Sequence, residues 1–167
     1  GKPVTELEDL EEAVANYAVK AGGKVRKEGS LASGMQVFLT TNRFSENLPQ
    51  YANSRTLAFD EPTDDPIHIV TNAKILLRSI YRQGFAYKKA GVLLLDLVSS
   101  KRSQSLLFEA HGSENRKRFV RSMEQVVATY GPNAGFLAAQ GVKRLWNMKR
   151  ESRTPRYTTS WEELPVV

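Results

Sequence analysis

The sequence contains no cysteine, so neither a disulfide bond nor a thiolate metal site is available to this chain. Its two histidines, His68 and His111, are far apart in the sequence and give little support to a histidine-based metal site. No apolar run is long enough to cross a bilayer, and no signal-peptide pattern is present. We therefore expect a cytoplasmic protein that has no membrane partner.

Motifs that bind nucleotides or activate a nucleophile are also missing. The chain has no GxxxxGK[ST], GxGxxG or GxSxG segment. Its acidic residues cluster in two places, 6–12 and 60–65. The first cluster is best interpreted as a solvated helix face, and the second lacks the glycine and the spacing of a calcium loop. We expect no catalytic residue, no metal and no cofactor, which favours a binding module over an enzyme.

Positive charge is unevenly distributed. Residues 1–98 contain 12 Lys+Arg and 12 Asp+Glu, whereas residues 99–167 contain 12 Lys+Arg and 6 Asp+Glu. The whole excess of +6 therefore lies in the last part of the chain. Such asymmetry is typical of a region that meets a polyanion such as nucleic acid, but a solvated surface explains it equally well.

The periodicity of apolar residues predicts an α+β fold. A helical period runs from Glu6 to Lys27 and again from Pro66 to Gln83. Strands are predicted at Leu31–Thr41, Arg55–Phe59 and Tyr87–Val98, the last of them as a buried central strand, with the tail of another strand at 2–4. This order indicates an open mixed β-sheet of about four strands with two helices on one face.

The other face of that sheet is predicted to be uncovered. Four basic residues belong to the predicted strands or to their first residues: Lys2, Arg55, Lys88 and Lys89. Basic groups around an open sheet make a platform that suits phosphate groups.

The chain changes character after residue 98. Residues 99–112 form a serine-rich linker in which three large apolar residues are isolated, and a third helix is predicted over 113–131. A short strand at 135–141 and a basic tail containing Trp146 and Trp161 follow. The tryptophans either pack the tail onto a core or stack on bases or peptides. We divide the chain into a domain at 1–98, the linker at 99–112 and a small basic, mostly helical module at 113–167.

Several segments together resemble a known family. In order, "KPVTELEDLEEAVANYA", "VFLTTNRFSENLPQYANS" and "AYKKAGVLLLDL" resemble the little finger domain of Y-family translesion DNA polymerases, in the UmuC-type branch. The segment "AAQGVKRLWNMKRESRTPRYTTSWEELPVV" resembles the tail module that follows the little finger in that branch, with Thr154 where serine is usual.

The resemblance implies a C-terminal part of an error-prone polymerase subunit of the SOS response. The catalytic carboxylates and their Mg²⁺ would belong to preceding palm and finger domains, so this part would have no catalysis of its own. The family's first strand begins earlier than this chain does, and we expect that strand to be shortened here. The implied contacts with the primer–template duplex are Lys2, Ser54, Arg55, Lys88 and Lys89. Leu93–Leu95 stand where some relatives have another basic residue, which limits the expected grip.

The resemblance also supplies a role for the isolated apolar residues of the linker. The segment "QSLLF" fits a pentapeptide that binds the β sliding clamp, and its implied contact residues are Gln104, Leu106, Leu107 and Phe108. Local packing of the same residues is the alternative. Other implied partners are the UmuD′ dimer and the RecA filament, in a nucleoid-associated setting. A different hypothesis treats the chain as a protein-interaction module that recruits one of these two partners and binds little DNA.

Overall fold

The sheet and the helices were located in a computed structural model that describes residues 3–45, 48–100, 113–131 and 134–141, together with Thr154 and Trp161. The elements are α1 (Leu7–Lys27), β1 (Ser30–Thr41), β2 (Ala52–Thr63), α2 (Pro66–Ile80), β3 (Tyr87–Ser99), α3 (Ser113–Tyr130) and a 3₁₀ turn (Ala138–Gln140). The predicted α+β class is confirmed. The helix predictions agree closely at α1 and end three residues too late at α2.

The three strands form one antiparallel sheet in the order β2-β1-β3. The segment before α1 adds a single antiparallel bridge to β3, in which the Val4 and Tyr87 backbones exchange hydrogen bonds of 2.9 and 2.8 Å. The prediction of about four strands in a mixed sheet is therefore wrong in number and in direction within the described residues. One residue pair adds a bridge and no further strand.

The core lies between the sheet and the two helices α1 and α2. Alternate side chains of the central strand β1, those of Met35, Val37 and Leu39, are fully buried beneath the helices, where they meet Val14 and Leu77. Burying each such side chain stabilises the fold by about 1.5–3 kcal/mol before entropy costs. Burial on one side of β1 is thus the main reason that both helices lie on the same face.

The leucine run of β3 was predicted to be a buried central strand, and this is wrong. β3 pairs only with β1 apart from the bridge at Val4, so it lies at the side of the described sheet. Its Val92 and Leu94 pack on the core, whereas Leu93 and Leu97 remain 43% and 48% exposed. A continuous apolar run does not reveal whether both faces of a strand are covered.

A carboxylate links the two helices of the layer. Glu11 on α1 lies 2.6 Å from Arg78 Nε and 3.4 Å from Lys74 Nζ, both on α2, and its side chain is only 12% exposed. The Arg78 hydrogen bond, aided by the charge of Lys74, lowers the pKa of Glu11 below 4.5, against the opposing effect of burial. The charged form of Glu11 therefore stabilises the helix pair.

The C-terminal elements also contact the helical layer. Arg26 on α1 lies 2.7 Å from Glu124 on α3, and Arg116 on α3 lies 3.4 Å from Asp65 at the start of α2. Residues 135–141 were predicted to be a strand, which is wrong, because 138–140 form a 3₁₀ turn. No helix of the described part combines the length and the apolar character needed to span a bilayer.

Replacing Glu11 by Gln should lower the free energy of unfolding at pH 7. Since the pKa of Glu11 is lower in the folded chain than in the unfolded chain, its contribution is complete above pH 4.5 and is lost as the pH falls through the folded value. Urea unfolding of the wild type and Glu11→Gln should therefore differ at pH 7 and converge at low pH. Glu8→Gln, a change at an exposed position of the same helix, is the control. A difference independent of pH would contradict the ion-pair explanation.

Candidate nucleic-acid interface

The register of the sheet assigns each strand residue to one of two faces. Partners across an antiparallel pair point to the same side. Val37 is buried beneath the helices, so the residues between the buried positions of β1 lie on the opposite side, which no described helix covers. We call this side the open face; on β1 it carries Gln36, Phe38 and Thr40.

One end of the open face is polar and basic. Lys89 of β3 is paired with Thr40, and Ser54 of β2 is paired with Phe38. Lys89 and Ser54 are both exposed. Hydroxyl and ammonium groups thus share this end of the face, and both can contact phosphate oxygens. Farther along the face, Gln36 Nε2 donates a 3.2 Å hydrogen bond to Thr56 Oγ1 across the β1–β2 pair.

Phe38 fixes the shape of this surface. Its ring lies directly over Gly91, which is its partner on β3, so that a Cβ atom at position 91 would overlap the ring. The glycine lets an aromatic ring lie close against the strand instead of projecting from it. The Phe38 ring therefore lies against β3, one pair along the strand from Thr40 and Lys89.

The other end of the open face is apolar. Leu93 is paired with Gln36, Leu95 with Gly34 and Leu97 with Ala32. The sequence-based prediction that the leucines of β3 limit a phosphate grip therefore applies to Leu93 and Leu95 in particular, because Leu94 packs on the core. Among the described strand residues, the basic side chain that the register places on the open face is that of Lys89, near the beginning of β3.

The other predicted contact residues lie elsewhere or outside the described part. Arg55 is paired with Val37, so it lies on the side of the helices, where it is exposed at the outer strand. Lys88 is exposed at an irregularity of the register, between the pairs Thr40–Lys89 and Thr41–Tyr87. Lys2 lies outside the described residues. The register thus brings Ser54 and Lys89 to the open face and separates Arg55 from them.

An aromatic cluster that sequence reasoning missed supports the beginning of β3. The ring centroids of Tyr51 and Phe85 lie 4.9 Å apart. The Tyr51 and Tyr87 rings meet edge to face, with their centroids 6.0 Å apart. The Tyr87 hydroxyl donates to the Arg82 carbonyl at 2.8 Å, and burial raises the pKa of that hydroxyl. The guanidinium carbon of Arg82 lies over the Tyr51 ring, 5.2 Å from its centroid. Spacing alone did not indicate this cluster, because Tyr51 is far in the sequence from Arg82, Phe85 and Tyr87.

The linker residues Gln104, Leu106, Leu107 and Phe108 lie outside the described part of the structure, as does Trp146. Trp161 is 90% exposed. Within the described residues, no group of three or more His, Asp or Glu side chains is arranged to hold a metal ion.

Comparison with known proteins gives the family. Residues 1–107 match the impB/mucB/samB family C-terminal domain, and residues 117–167 match a domain of unknown function. The chain belongs to the impB/mucB/samB family. It is 34% identical over 165 residues to the protein UmuC of Salmonella typhimurium strain LT2, 33% identical over 167 residues to MucB of Escherichia coli and 30% identical over 168 residues to ImpB of Salmonella typhimurium.

The chain corresponds to only part of these relatives. The three matches cover 98–100% of the chain but 39% of each relative. The chain is therefore similar to a C-terminal region of the UmuC, MucB and ImpB proteins, which confirms the family resemblance stated from the sequence.

Gly91→Ala should destabilise the sheet by about 1–3 kcal/mol, because the added methyl group must displace the Phe38 ring. Gly23→Ala in α1 is the matched substitution, since a Cβ there meets only the end of the Arg26 side chain at 3.8 Å and a helix favours alanine by roughly 1 kcal/mol. Urea unfolding should give opposite signs for the two variants. Equal stability of Gly91→Ala and the wild type would show that Phe38 does not lie over position 91.

Proposed function

We propose that this chain is the DNA-binding C-terminal part of an error-prone translesion DNA polymerase subunit that acts in the SOS response, and that the open face grips the primer–template duplex. The single observation that carries the proposal is the register that brings Lys89 and Ser54 to an uncovered sheet face. Polymerization would belong to the rest of the parent chain, with Mg²⁺ held by its palm domain.

The proposed grip acts through the DNA backbone. Lysine, serine and threonine side chains contact phosphate and sugar oxygens without reading base sequence. Lys88 and Lys89 would supply the charge, and Ser54 and Thr40 would supply hydrogen bonds beside them. A sequence-independent contact suits a polymerase that must continue past damage in any template.

Arg55 and Lys2 have a less direct role in this proposal. Arg55 lies at the outer strand on the side of the helices, so it would reach the duplex only around the edge of β2. Lys2 remains a prediction from the resemblance. The basic contribution expected of the open face therefore depends mainly on the beginning of β3.

A second part of the proposal concerns the linker. Gln104, Leu106, Leu107 and Phe108 would bind the β sliding clamp, because two large apolar side chains can enter an apolar pocket while the glutamine bonds at its rim. Burying two such side chains contributes roughly 1.5–3 kcal/mol each, from which the cost of ordering the peptide is subtracted. The segment follows β3 closely in sequence, so the clamp and the sheet could hold the same duplex.

One observation favours a second candidate function. Phe119, Val126 and Tyr130 on α3 are 47%, 40% and 77% exposed, and they recur at helical spacing. An exposed apolar stripe of this kind suits a protein partner. In this alternative the chain recruits the UmuD′ dimer or the RecA filament through its C-terminal module and binds little DNA.

Charge reversal at the beginning of β3 should separate the two candidates. Lys88→Glu with Lys89→Glu should weaken primer–template binding by more than about 10-fold and should reduce the slope of log affinity against log salt by roughly 2. Fluorescence anisotropy over a salt series measures both quantities. Lys20→Glu with Lys24→Glu makes the same change of charge at exposed positions on α1. Equal losses in the two double variants would contradict a grip by the open face and would favour the interaction module.

Replacing Leu107 and Phe108 by Ala should abolish binding to the β sliding clamp without changing the unfolding curve of the chain. The family resemblance implies that Leu is commoner than Ser at position 105 of this pentapeptide, so Ser105→Leu should strengthen the same binding. Calorimetry with purified clamp and circular dichroism of the variants test the two statements. If the double variant unfolds the domain, these side chains pack locally and the clamp assignment is wrong.

A further inference from the structure

The segment between α3 and the tail lies against α1. Gln140, in the 3₁₀ turn, is 7% exposed, and Asn16, in the middle of α1, is 2% exposed. The two residues are 124 positions apart in the sequence, and they form a pair of buried amides in direct contact.

The hydrogen bonds of this pair are reciprocal. Asn16 Nδ2 donates to the Gln140 carbonyl at 2.7 Å and to the Glu12 carbonyl at 2.9 Å. Gln140 Nε2 donates to Asn16 Oδ1 at 3.1 Å, and Gln140 Oε1 accepts from the Leu137 backbone N–H at 2.9 Å. Buried amides are costly when their groups lack partners, so each member of this pair requires the other.

The residues around Gln140 are equally specific. Leu137 and Ala139 pack against the hydrophobic core. Gly141 has a φ of +68°, and a Cβ atom there would overlap the Glu12 carboxylate. The fit therefore requires a large apolar residue at position 137 and a small residue at position 139. It also requires glutamine at position 140 and glycine at position 141.

We propose that α1 carries a docking site for the peptide 137–141, and that this contact holds α3 against the helical layer, on the side of the sheet opposite the open face. Two weaker contacts act in the same direction, namely the Arg26–Glu124 and Arg116–Asp65 pairs. The proposal gives α3 and residues 137–141 a fixed position against α1, and it does not depend on DNA binding.

A consequence concerns the basic residues of α3. Arg118 and Arg121 are exposed on a helix whose described contacts are with α1 and the start of α2. A docked α3 therefore keeps these charges away from a duplex held by the open face. They would be available instead to a second partner that carries negative charge.

The absence of cysteine makes the docking measurable, because spin labels can be attached at Lys20→Cys on α1 and Ser122→Cys on α3 in the full chain. The wild type should give one narrow distance distribution in a pulsed dipolar experiment. Gln140→Glu removes the donor to Asn16 and adds a negative charge near Glu12, so it should broaden the distribution. Gln125→Glu makes the same chemical change at an exposed position of α3 and should leave the distribution narrow.

Glycine variants provide an independent comparison. Gly141→Ala should lower amide-exchange protection in α3 by at least about 10-fold while protection in β1 is unchanged. Gly135→Ala should have no such effect, because a Cβ there makes only ordinary contacts of 3.7–3.9 Å. A broad wild-type distribution, or equal behaviour of Gln140→Glu and Gln125→Glu, would overturn the proposal. Loss of β1 protection together with α3 protection would also overturn it, because 137–141 would then be part of the domain core.

Discussion

The one-sided burial of β1 is the constraint on which the rest of the structure depends. Met35, Val37 and Leu39 are fully buried between the sheet and the helices α1 and α2. Because strand side chains alternate, Phe38 and Thr40 must then lie on the opposite face. The antiparallel register carries this division to both neighbouring strands. The position of each candidate contact residue therefore follows from which residues of β1 are covered.

The open face has two chemically different ends. Ser54 and Lys89 lie beside Thr40 and a flat aromatic ring, whereas Leu93 and Leu95 occupy the opposite end of β3. A phosphate backbone can form hydrogen bonds and ion pairs with the first end, whereas the leucines of the second end offer it no polar contact. In the proposed function the grip is consequently small, and a connection to the clamp through the linker would keep such a weakly held polymerase on its template.

The sequence predicted the features that depend on local periodicity. The α+β class was correct and the bounds of α1 were nearly so, because amphipathic patterns record which side of an element is covered. The position of β3 at the side of the sheet was missed, since a run of leucines is compatible with one covered face or two. The separation of Arg55 from Ser54 depends on the exact pairing with β1, and adjacent residues of a strand point to opposite faces. The aromatic support around Tyr87 and the Asn16–Gln140 pair join distant segments, which no local pattern reveals.

The structure gives a position to part of the positive charge in the last part of the chain, namely the arginines of α3. That charge suggested a region that meets nucleic acid, yet α3 contacts the helical layer and not the open face within the described residues. The charge that would grip a duplex belongs to β3, in the half of the sequence that is neutral overall. A region whose net charge is zero can therefore still present a local basic surface. Conversely, a basic helix such as α3 can lie on the side of the sheet away from that surface.

The central claim is that the open face binds duplex DNA through its backbone. The most direct measurement is the affinity of the wild-type chain for two primer–template duplexes of unrelated sequence over a range of salt concentrations. The account predicts equal affinities for the two duplexes and a linear fall of log affinity with log salt. Negligible binding at low salt, affinity that does not change with salt, or a strong preference for one sequence would contradict it.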